Sequence, residues 1–355
     1  MKIDVIQKEF EKEKLSFIVD PLILWYEKHA RSFPWRENTD PYRVWVSEIM
    51  LQQTRISAAL PYYKAFMDRL PVVSDLASID DDELLKLWQG LGYYSRARYL
   101  KEAAQKVMTD FGGIFPTTFD KLLSLPGIGR YTAGAVASIC GNEAVSAVDG
   151  NVLRVLCRYL NSKIDVLDAS SKKMAEIVLN EIISKEKPGV FNEAIMELGE
   201  TICLPNGEPD CEKCPLCETC LGYKTGEAKN LPIRKKKAKR KQEKRIVFLL
   251  MTDSKVALLR RPEKGLLANL WEFPNVLEDI PSVNVANVLK KMGVEFVSIE
   301  PIGEAKHIFS HIEWYMTGFK VRVKSEILGF TWVTKEELWQ KYSVPSAFSY
   351  FHKKI

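Results

Sequence analysis

Nothing in the chain marks it for a membrane, for secretion or for disorder. With 19 glycines and 17 prolines among 355 residues there is no excess of either, and no internal repeat, so low-complexity and repeat architectures are excluded. No apolar run approaches the roughly 20 residues that a spanning helix needs. The first residues, Met1 to Lys14, alternate acidic, basic and apolar side chains and lack the apolar centre of a signal peptide. The expectation is a soluble, monomeric, cytoplasmic protein, associated with the nucleoid if its source is bacterial. A chain of this length accommodates two domains, each with its own core.

Charge and cysteine usage sharpen the picture. A formal charge of +5 permits a polyanionic partner without requiring one. Five of the seven cysteines fall between Cys203 and Cys220, while Cys140 and Cys157 sit in apolar helical contexts. Without a secretion signal, such crowding favours metal ligation over disulfides.

Apolar residues recur at helical spacing from Phe17 to about Tyr223, in segments broken by Pro34, Pro41, Pro71, Pro116 and Pro126. An all-α domain over 1–224 is expected. From Thr225 the chain turns basic, with Arg234, Lys235, Lys236, Lys237, Lys239, Arg240 and Lys241, and has little with which to build a core, so 225–244 reads as a linker. Its lysines either contact phosphates or simply tether. Beyond it, over 245–355, Ile246 to Leu250 and Val256 to Leu259 flank turn-prone Thr252, Asp253 and Ser254 as a β-hairpin. Strands at Glu313 to Phe319 and Phe330 to Val333, with helices at Val285 to Lys291 and Lys335 to Lys341, make this domain α+β.

Three clusters carry chemistry. Leu125-Pro126-Gly127-Ile128-Gly129 lies between helical stretches, and its glycines allow a tight turn that presents backbone N–H groups to a phosphate; on these residues alone an ordinary helical hairpin is an equal reading. Twenty positions beyond Gly129, Val148-Asp149-Gly150-Asn151-Val152 sets an acid before an amphipathic helix, a common N-cap arrangement. Then comes Cys203-x7-Cys211-x2-Cys214-x5-Cys220. Four thiolates suit a 4Fe-4S cluster, whereas Cys211, Cys214, Cys217 and Cys220 would instead suit zinc.

Together these motifs resemble the helix-hairpin-helix glycosylases of the endonuclease III superfamily. The resemblance implies that Asp149 faces the sugar of an extruded nucleotide, that Gly127 and Gly129 hold a phosphate, and that Cys203, Cys211, Cys214 and Cys220 carry a 4Fe-4S cluster despite one extra residue in the first gap, leaving Cys217 spare. Members that also cleave the backbone place a lysine after the hairpin, within G-[IV]-G-R-K. Here Tyr131 comes after Arg130, and tyrosine forms no imine, so a monofunctional enzyme without lyase activity is expected.

Phe33-Pro34-Trp35-Arg36, the run from Asp40 to Thr54, and Gly90-Leu91-Gly92-Tyr93-Tyr94-Ser95-Arg96 closely resemble the MutY adenine DNA glycosylases, and the likeness continues through Phe191-Asn192-Glu193 to Gly265-Leu266-Leu267-Ala268-Asn269-Leu270-Trp271-Glu272-Phe273-Pro274. Glu48, among Val44, Trp45, Val46, Ile49, Met50 and Leu51, has apolar neighbours that would raise its pKa. The resemblance makes it the acid that protonates N7 of adenine, with Asp149 ionised against the sugar cation either electrostatically or as a covalent trap. It also implies that Tyr131 and Asn151 complete the catalytic pocket, that Arg31, Trp35, Leu51 and Glu193 surround the base, and that Gln53, Thr54 and Tyr93 fill the stack left by flipping. For Tyr93 the alternative is a buried packing residue.

The second domain resembles the Nudix-like recognition domain of the same family. The glutamate-rich R-E-x-x-E-E helix that nucleotide hydrolysis needs is missing after Phe273-Pro274, so a binding role is implied, with Ser310 and His311 of the Phe309-Ser310-His311 loop reaching an oxidised guanine. The expected partner is double-stranded DNA bearing adenine opposite 8-oxoguanine or guanine. Two rival readings are a thymine or uracil mismatch glycosylase of the same superfamily and a non-catalytic DNA-damage binding protein.

Overall fold

The computed structural model describes residues 10–233, 239–277 and 284–355, so the basic residues 234–237 of the expected linker lie outside the described residues. Two compact units result, residues 1–78 with 99–236, and residues 79–98 with 237–355.

The first unit is helical. Its elements are α1 (Lys12–Ser16), α2 (Val19–His29), α3 (Pro41–Leu51), α4 (Ile56–Arg69), α5 (Val73–Ser78), most of α7 (Ser95–Asp110), α8 (Phe119–Leu123), α9 (Arg130–Gly141), α10 (Gly150–Tyr159), α11 (Ala169–Ile182), α12 (Pro188–Thr201) and α13 (Leu221–Lys224). Helix α3 starts because Asp40 accepts the Arg43 N–H and Pro41 supplies the first helical φ. Almost all of it is buried, Trp45 packing on Phe115 with ring centroids 4.8 Å apart. One core joins Leu15, Ile18 and Leu22 to Val152 and Leu156 of α10 and Phe191 and Leu198 of α12. Each such fully buried leucine contributes about 1.5–3 kcal/mol relative to exposure.

The second unit holds helix α6 (Asp81–Leu87), capped by Asp80, and a mixed sheet. Its strands are β1 (Lys241–Met251), β2 (Lys255–Arg260), β3 (Trp271–Glu272), β4 (Asn275–Val276), β5 (Ser298–Ile308), β6 (Ile312–Arg322) and β7 (Thr331–Thr334). They run in the order β3-β2-β1-β6-β5, with β4 on β1 and β7 on β2. Strands β1 and β6 are parallel in unbroken register from Lys241 against Ile312 to Met251 against Arg322. Both faces of β1 are covered: Val247 and Leu249 meet Phe348 and Phe351, while Ile246, Phe248 and Leu250 meet Val288 and Leu289 of α14 (Val285–Lys291). Helices α15 (Lys335–Gln340) and α16 (Ser349–His352) complete the unit.

Two features differ from the sequence reading. The stretch read as a linker is structured at both ends: Ala228 and Leu231 are buried, the Arg158 guanidinium donates to the Leu231 carbonyl at 2.9 Å, and β1 already begins at Lys241. Strand β5 has no counterpart in the pattern, because Pro301 and Gly303 interrupt its alternation; the chain accommodates them with a bulge between those residues.

Helix α9 runs hard against the strand-like segment before α10, and a Cβ at Gly134 would overlap the Ser146 carbonyl. Gly134→Ala is expected to cost about 1–3 kcal/mol as an overpacked contact. A melting curve superimposable on the parent's would contradict that backbone approach.

Candidate active site

The first unit encloses a cavity of about 650 Å³, lined among others by Trp35, Glu48, Leu51, Gln53, Tyr131, Asp149, Asn151 and Glu193. Glu48 sits on α3, 8% exposed, with Val46 and Ile49 beside it in the chain and buried. Burial pushes its pKa up to about 7, and the opposing influence is the Tyr131 hydroxyl, which donates to Glu48 Oε2 at 2.7 Å. Tyr131 comes from the first turn of α9, directly after the glycine hairpin, so the hairpin that ends at Gly129 also sets the position of the phenol. Burial, with Glu48 and Asp149 next, holds the Tyr131 phenol well above its usual value, so it acts as a donor.

Asp149 is the N-cap of α10. One carboxylate oxygen accepts the Val152 N–H at 2.8 Å and the other accepts Asn151 Nδ2 at 2.9 Å. Asp149 thus caps the helix and lines the cavity at once, because a capping carboxylate at a helix start is presented to the space ahead of the helix. Burial raises the Asp149 pKa; the bonds from Val152 and Asn151 and the charge of Arg154 counter it. Arg154 in turn donates to Asn151 Oδ1 at 2.8 Å, to the Gly199 carbonyl at 2.7 Å and to the Cys203 carbonyl at 2.8 Å, which fixes the asparagine that holds the acid.

The opposite wall is a charged lattice. Arg36 Nε lies 3.1 Å from Glu193 Oε1, and its other nitrogens reach Glu197. Burial works against the Arg36 charge, yet Tyr26, Glu193 and Glu197 together raise its pKa. Glu193 is itself raised, mainly by burial. Trp35 stacks on Phe33 with centroids 5.0 Å apart.

Two of the expected residues lie outside the cavity lining. Arg31 is not among the residues that line the cavity; Glu197 and Glu200 take up its guanidinium. Its neighbour in the Phe33-Pro34-Trp35-Arg36 motif, Arg36, occupies the wall instead. Thr54 likewise stays outside the lining, its N–H bonded to the Leu51 carbonyl at 3.1 Å. Gln53 does line the cavity and adopts a left-handed backbone, φ 58°, a strained state for a non-glycine residue. Missed from the sequence were Met196, whose sulfur accepts from Tyr131 at 3.2 Å, and Gln52, which donates to Thr132 at 3.3 Å.

The hairpin residues Gly127 and Gly129 lie on the same cavity. Gly127 has φ +73° and lies so close to Tyr99 that a Cβ would overlap the Tyr99 side chain.

Residues 46–185 match the family model described as HhH-GPD superfamily base excision DNA repair protein, and 246–354 match the NUDIX domain model. Adenine DNA glycosylase from Mus musculus is 36% identical over 350 residues, 82% of this chain and 68% of the relative. The chain belongs to the adenine DNA glycosylase family. The enzyme of that name from Buchnera aphidicola (Schizaphis graminum) is 34% identical across 83% of this chain and 85% of its own length. Among solved structures, a thermostable thymine-DNA glycosylase aligns with a TM-score of 0.53 at 29% identity, over 60% of this chain and 98% of that one. The protein is a DNA glycosylase of base excision repair with a helix-hairpin-helix domain and a Nudix-like domain, and it binds DNA.

Beside α10, the family's cysteine block comes together. Cys203, Cys211, Cys214 and Cys220 line one small pocket with Leu198 and Tyr159, and Cys217 is not among the lining residues. Arg158 donates to Cys203 Sγ at 3.3 Å, and Cys220 Sγ donates to the Arg158 carbonyl at 3.5 Å. Burial pushes the Cys211 thiol to about 11 and Cys214 to about 12. Among the described residues no group of three or more His, Cys, Asp or Glu is placed to hold a single metal ion.

The second unit has its own cavity of about 530 Å³, lined by Tyr93, Arg98, Leu266, His307, Ser310 and His311 among others. Tyr93 is 46% exposed, which does not fit the packing alternative, and its hydroxyl lies 2.9 Å from Ser310 Oγ. Its φ of 47° is again left-handed.

Because the Tyr131 hydroxyl stabilises the ionised Glu48 carboxylate, Tyr131→Phe is expected to raise the Glu48 pKa above its present value of about 7. A carbon-13 NMR titration of the glutamate carboxyl measures it; a downward shift would show that the phenol does not donate there.

Proposed function

We propose that the protein excises adenine from its pair with 8-oxoguanine or guanine by hydrolysing the C1′–N9 bond. The observation that carries this reading is the pairing of Glu48 with Asp149 on one cavity, the former buried and ionising at about 7. Adenine offers N7 to such an acid; thymine and uracil have no equivalent atom. Glu48 gives its proton to N7, the C1′–N9 electron pair leaves with the base, and water adds to C1′ while losing a proton to solvent or to the Glu48 carboxylate. Asp149, its two oxygens held by Val152 and Asn151, faces the sugar as its positive charge develops. Tyr131 and Asn151 fix the two acids, Trp35 and Leu51 wall the base, and the Arg36–Glu193 pair offers it hydrogen bonds. With tyrosine rather than lysine at position 131, no lyase step is assigned.

The second cavity supports the choice of lesion. Exposed Ser310 and His311 and the strained Tyr93 converge there, on a Nudix-like scaffold. The match to adenine glycosylases extends over 82% of the chain, whereas the match to the thymine enzyme spans 60%. We also assign a 4Fe-4S cluster to Cys203, Cys211, Cys214 and Cys220. Their pocket supplies four thiols and the Arg158 cation, and a cluster needs ligands spaced more widely than one zinc ion does. When bound, the cluster would cross-link the loop from Cys203 to Cys220 by thiolate ligation. The working species is assigned as a monomer.

Four measurements test this. Duplexes with A opposite 8-oxoguanine should yield alkali-labile sites, while T opposite G and U opposite G should not; cleavage of the latter pair alone would support the mismatch reading, and no cleavage at all the binding-protein reading. Glu48→Gln should bind the first duplex yet turn over about 10²–10⁴-fold more slowly. The single-turnover rate should fall as pH rises through about 7, where Glu48 loses its proton, and fall again in acid as Asp149 gains one, above the ordinary aspartate range. A flat profile between pH 6 and 8 would remove Glu48 as the acid. Iron and sulfide analysis should give four of each per chain; zinc without sulfide would reverse the cluster assignment.

A further inference from the structure

Residues 79–98 fall inside the stretch matched by the helical family model, yet they pack as part of the second unit. Their attachment is specific at both ends. At the start of α6 the Asp82 carboxylate accepts Trp271 Nε1 at 3.2 Å and pairs with Arg260 at 3.3 Å; the Arg260 guanidinium also lies 5.5 Å over the Trp271 ring. One turn on, Ser343 donates to the Leu85 carbonyl at 3.0 Å, and past the helix Gln89 donates to the Val344 carbonyl at 2.9 Å. On the far side, Arg98 donates to the Ala268 carbonyl at 3.1 Å. Strung between these anchors is the turn that carries Tyr93. Trp88 Nε1 and Arg96 Nη2 both donate to the Gly92 carbonyl at 3.1 Å, and the Arg96 guanidinium sits over both the Trp88 and Tyr93 rings. The turn is therefore stiff in itself, and its location is decided by what its flanks are tied to.

We propose that 79–98 works as a component of the recognition unit and that Asp82 is a positioning residue for Tyr93, setting the phenol against Ser310 through Trp271 and Arg260. Asp82 touches neither cavity, so it acts on the lesion only through α6. A half-exposed carboxylate that accepts two hydrogen bonds from one short β-strand end and its neighbour has a register function that a solvated charge lacks. This inference rests on the reading of Tyr93 and Ser310 as lesion contacts.

Two measurements on the full-length protein test it. Amide hydrogen exchange tracks the turn without reference to any lesion: Trp271→Phe, which removes one charge-assisted bond, should speed exchange across residues 88–95 by roughly tenfold, Asp82→Ala, which removes two, by at least as much, and Asp82→Asn, which keeps an acceptor for Trp271, by less. Binding to duplexes with a non-cleavable 2′-fluoro adenine analogue gives the preference for 8-oxoguanine over guanine as partner base. Asp82→Ala should reduce that preference by roughly fivefold to tenfold, with Asp82→Asn restoring most of it, and the single-turnover rate from the saturated complex should stay within about twofold of the parent. Unchanged exchange at 88–95 overturns the positioning role. Altered exchange with an intact partner preference overturns its link to recognition. A parent protein that binds both duplexes equally overturns the 8-oxoguanine reading and leaves the exchange result to stand or fall alone.

Discussion

Withdrawing one carboxyl group from water is the constraint around which the catalytic unit is built. Glu48 lies on a helix whose residues are buried almost end to end, so the charged form of its side chain loses most of its hydration. Burial raises the pKa of an acid in that position. Tyr131 compensates, donating a single short bond to the carboxylate, and the balance comes to rest at about 7. A buried acid poised there can both give and regain a proton under ordinary conditions, which is the property a general acid requires. The glycine hairpin belongs to the same arrangement. It must turn tightly enough for α9 to begin at Arg130, because Tyr131 reaches Glu48 only from the first turn of that helix.

The Asp149 pKa is likewise raised by burial, but more groups oppose the shift. Its carboxylate also leaves bulk water, but two hydrogen bonds and a helix N-terminus meet it, all of which favour the ionised form. Two carboxyls on one cavity are thus set apart by their surroundings, not by their chemistry. Helix α10 extends this support over its whole length. Asp149 caps it, Arg154 one turn on ties Asn151 to the Cys203 carbonyl, and Arg158 a further turn on meets Cys203 Sγ. Spacing of four residues stacks the two arginines on one face, so a single helix spans from Asp149 to the cysteine pocket.

Much of this was legible in the sequence because its signals are local. Asp40-Pro41 starts a helix, Gly127-Ile128-Gly129 turns the chain, and the acid before Gly150 caps the next helix; each depends on neighbours a few positions away. The features that stayed hidden depend on distant partners. Arg31 and Arg36 are both arginines flanking the same aromatic motif, and the carboxylates of α12 tell them apart: Glu200 pairs with Arg31, Glu193 with Arg36, and Glu197 with both. Strand β5 was masked by Pro301 and Gly303, whose breaking tendency is overruled by eleven-residue β6 alongside. The zinc alternative, open on spacing alone, loses support because Cys217 lies outside the pocket that collects the other four thiols.

Chain order and physical grouping also part company at residues 79–98. Their apolar pattern is helical like that of their neighbours, so sequence periodicity assigns them to the helical domain. Four of their hydrogen bonds go elsewhere, to Trp271, Ser343, Val344 and Ala268, all contributed by a stretch more than 150 residues downstream. Three of those four bonds fix side chains of 79–98, those of Asp82, Gln89 and Arg98, and one satisfies a backbone group, the Leu85 carbonyl. Three of the left-handed non-glycine residues line cavities, Gln53 in the first unit and Tyr93 and Leu267 in the second. Strain of this kind persists only where surrounding contacts over-determine it. For Tyr93 those contacts are the Trp88 and Arg96 bonds to Gly92, which makes the second unit the part of the molecule that enforces the presentation of its ring.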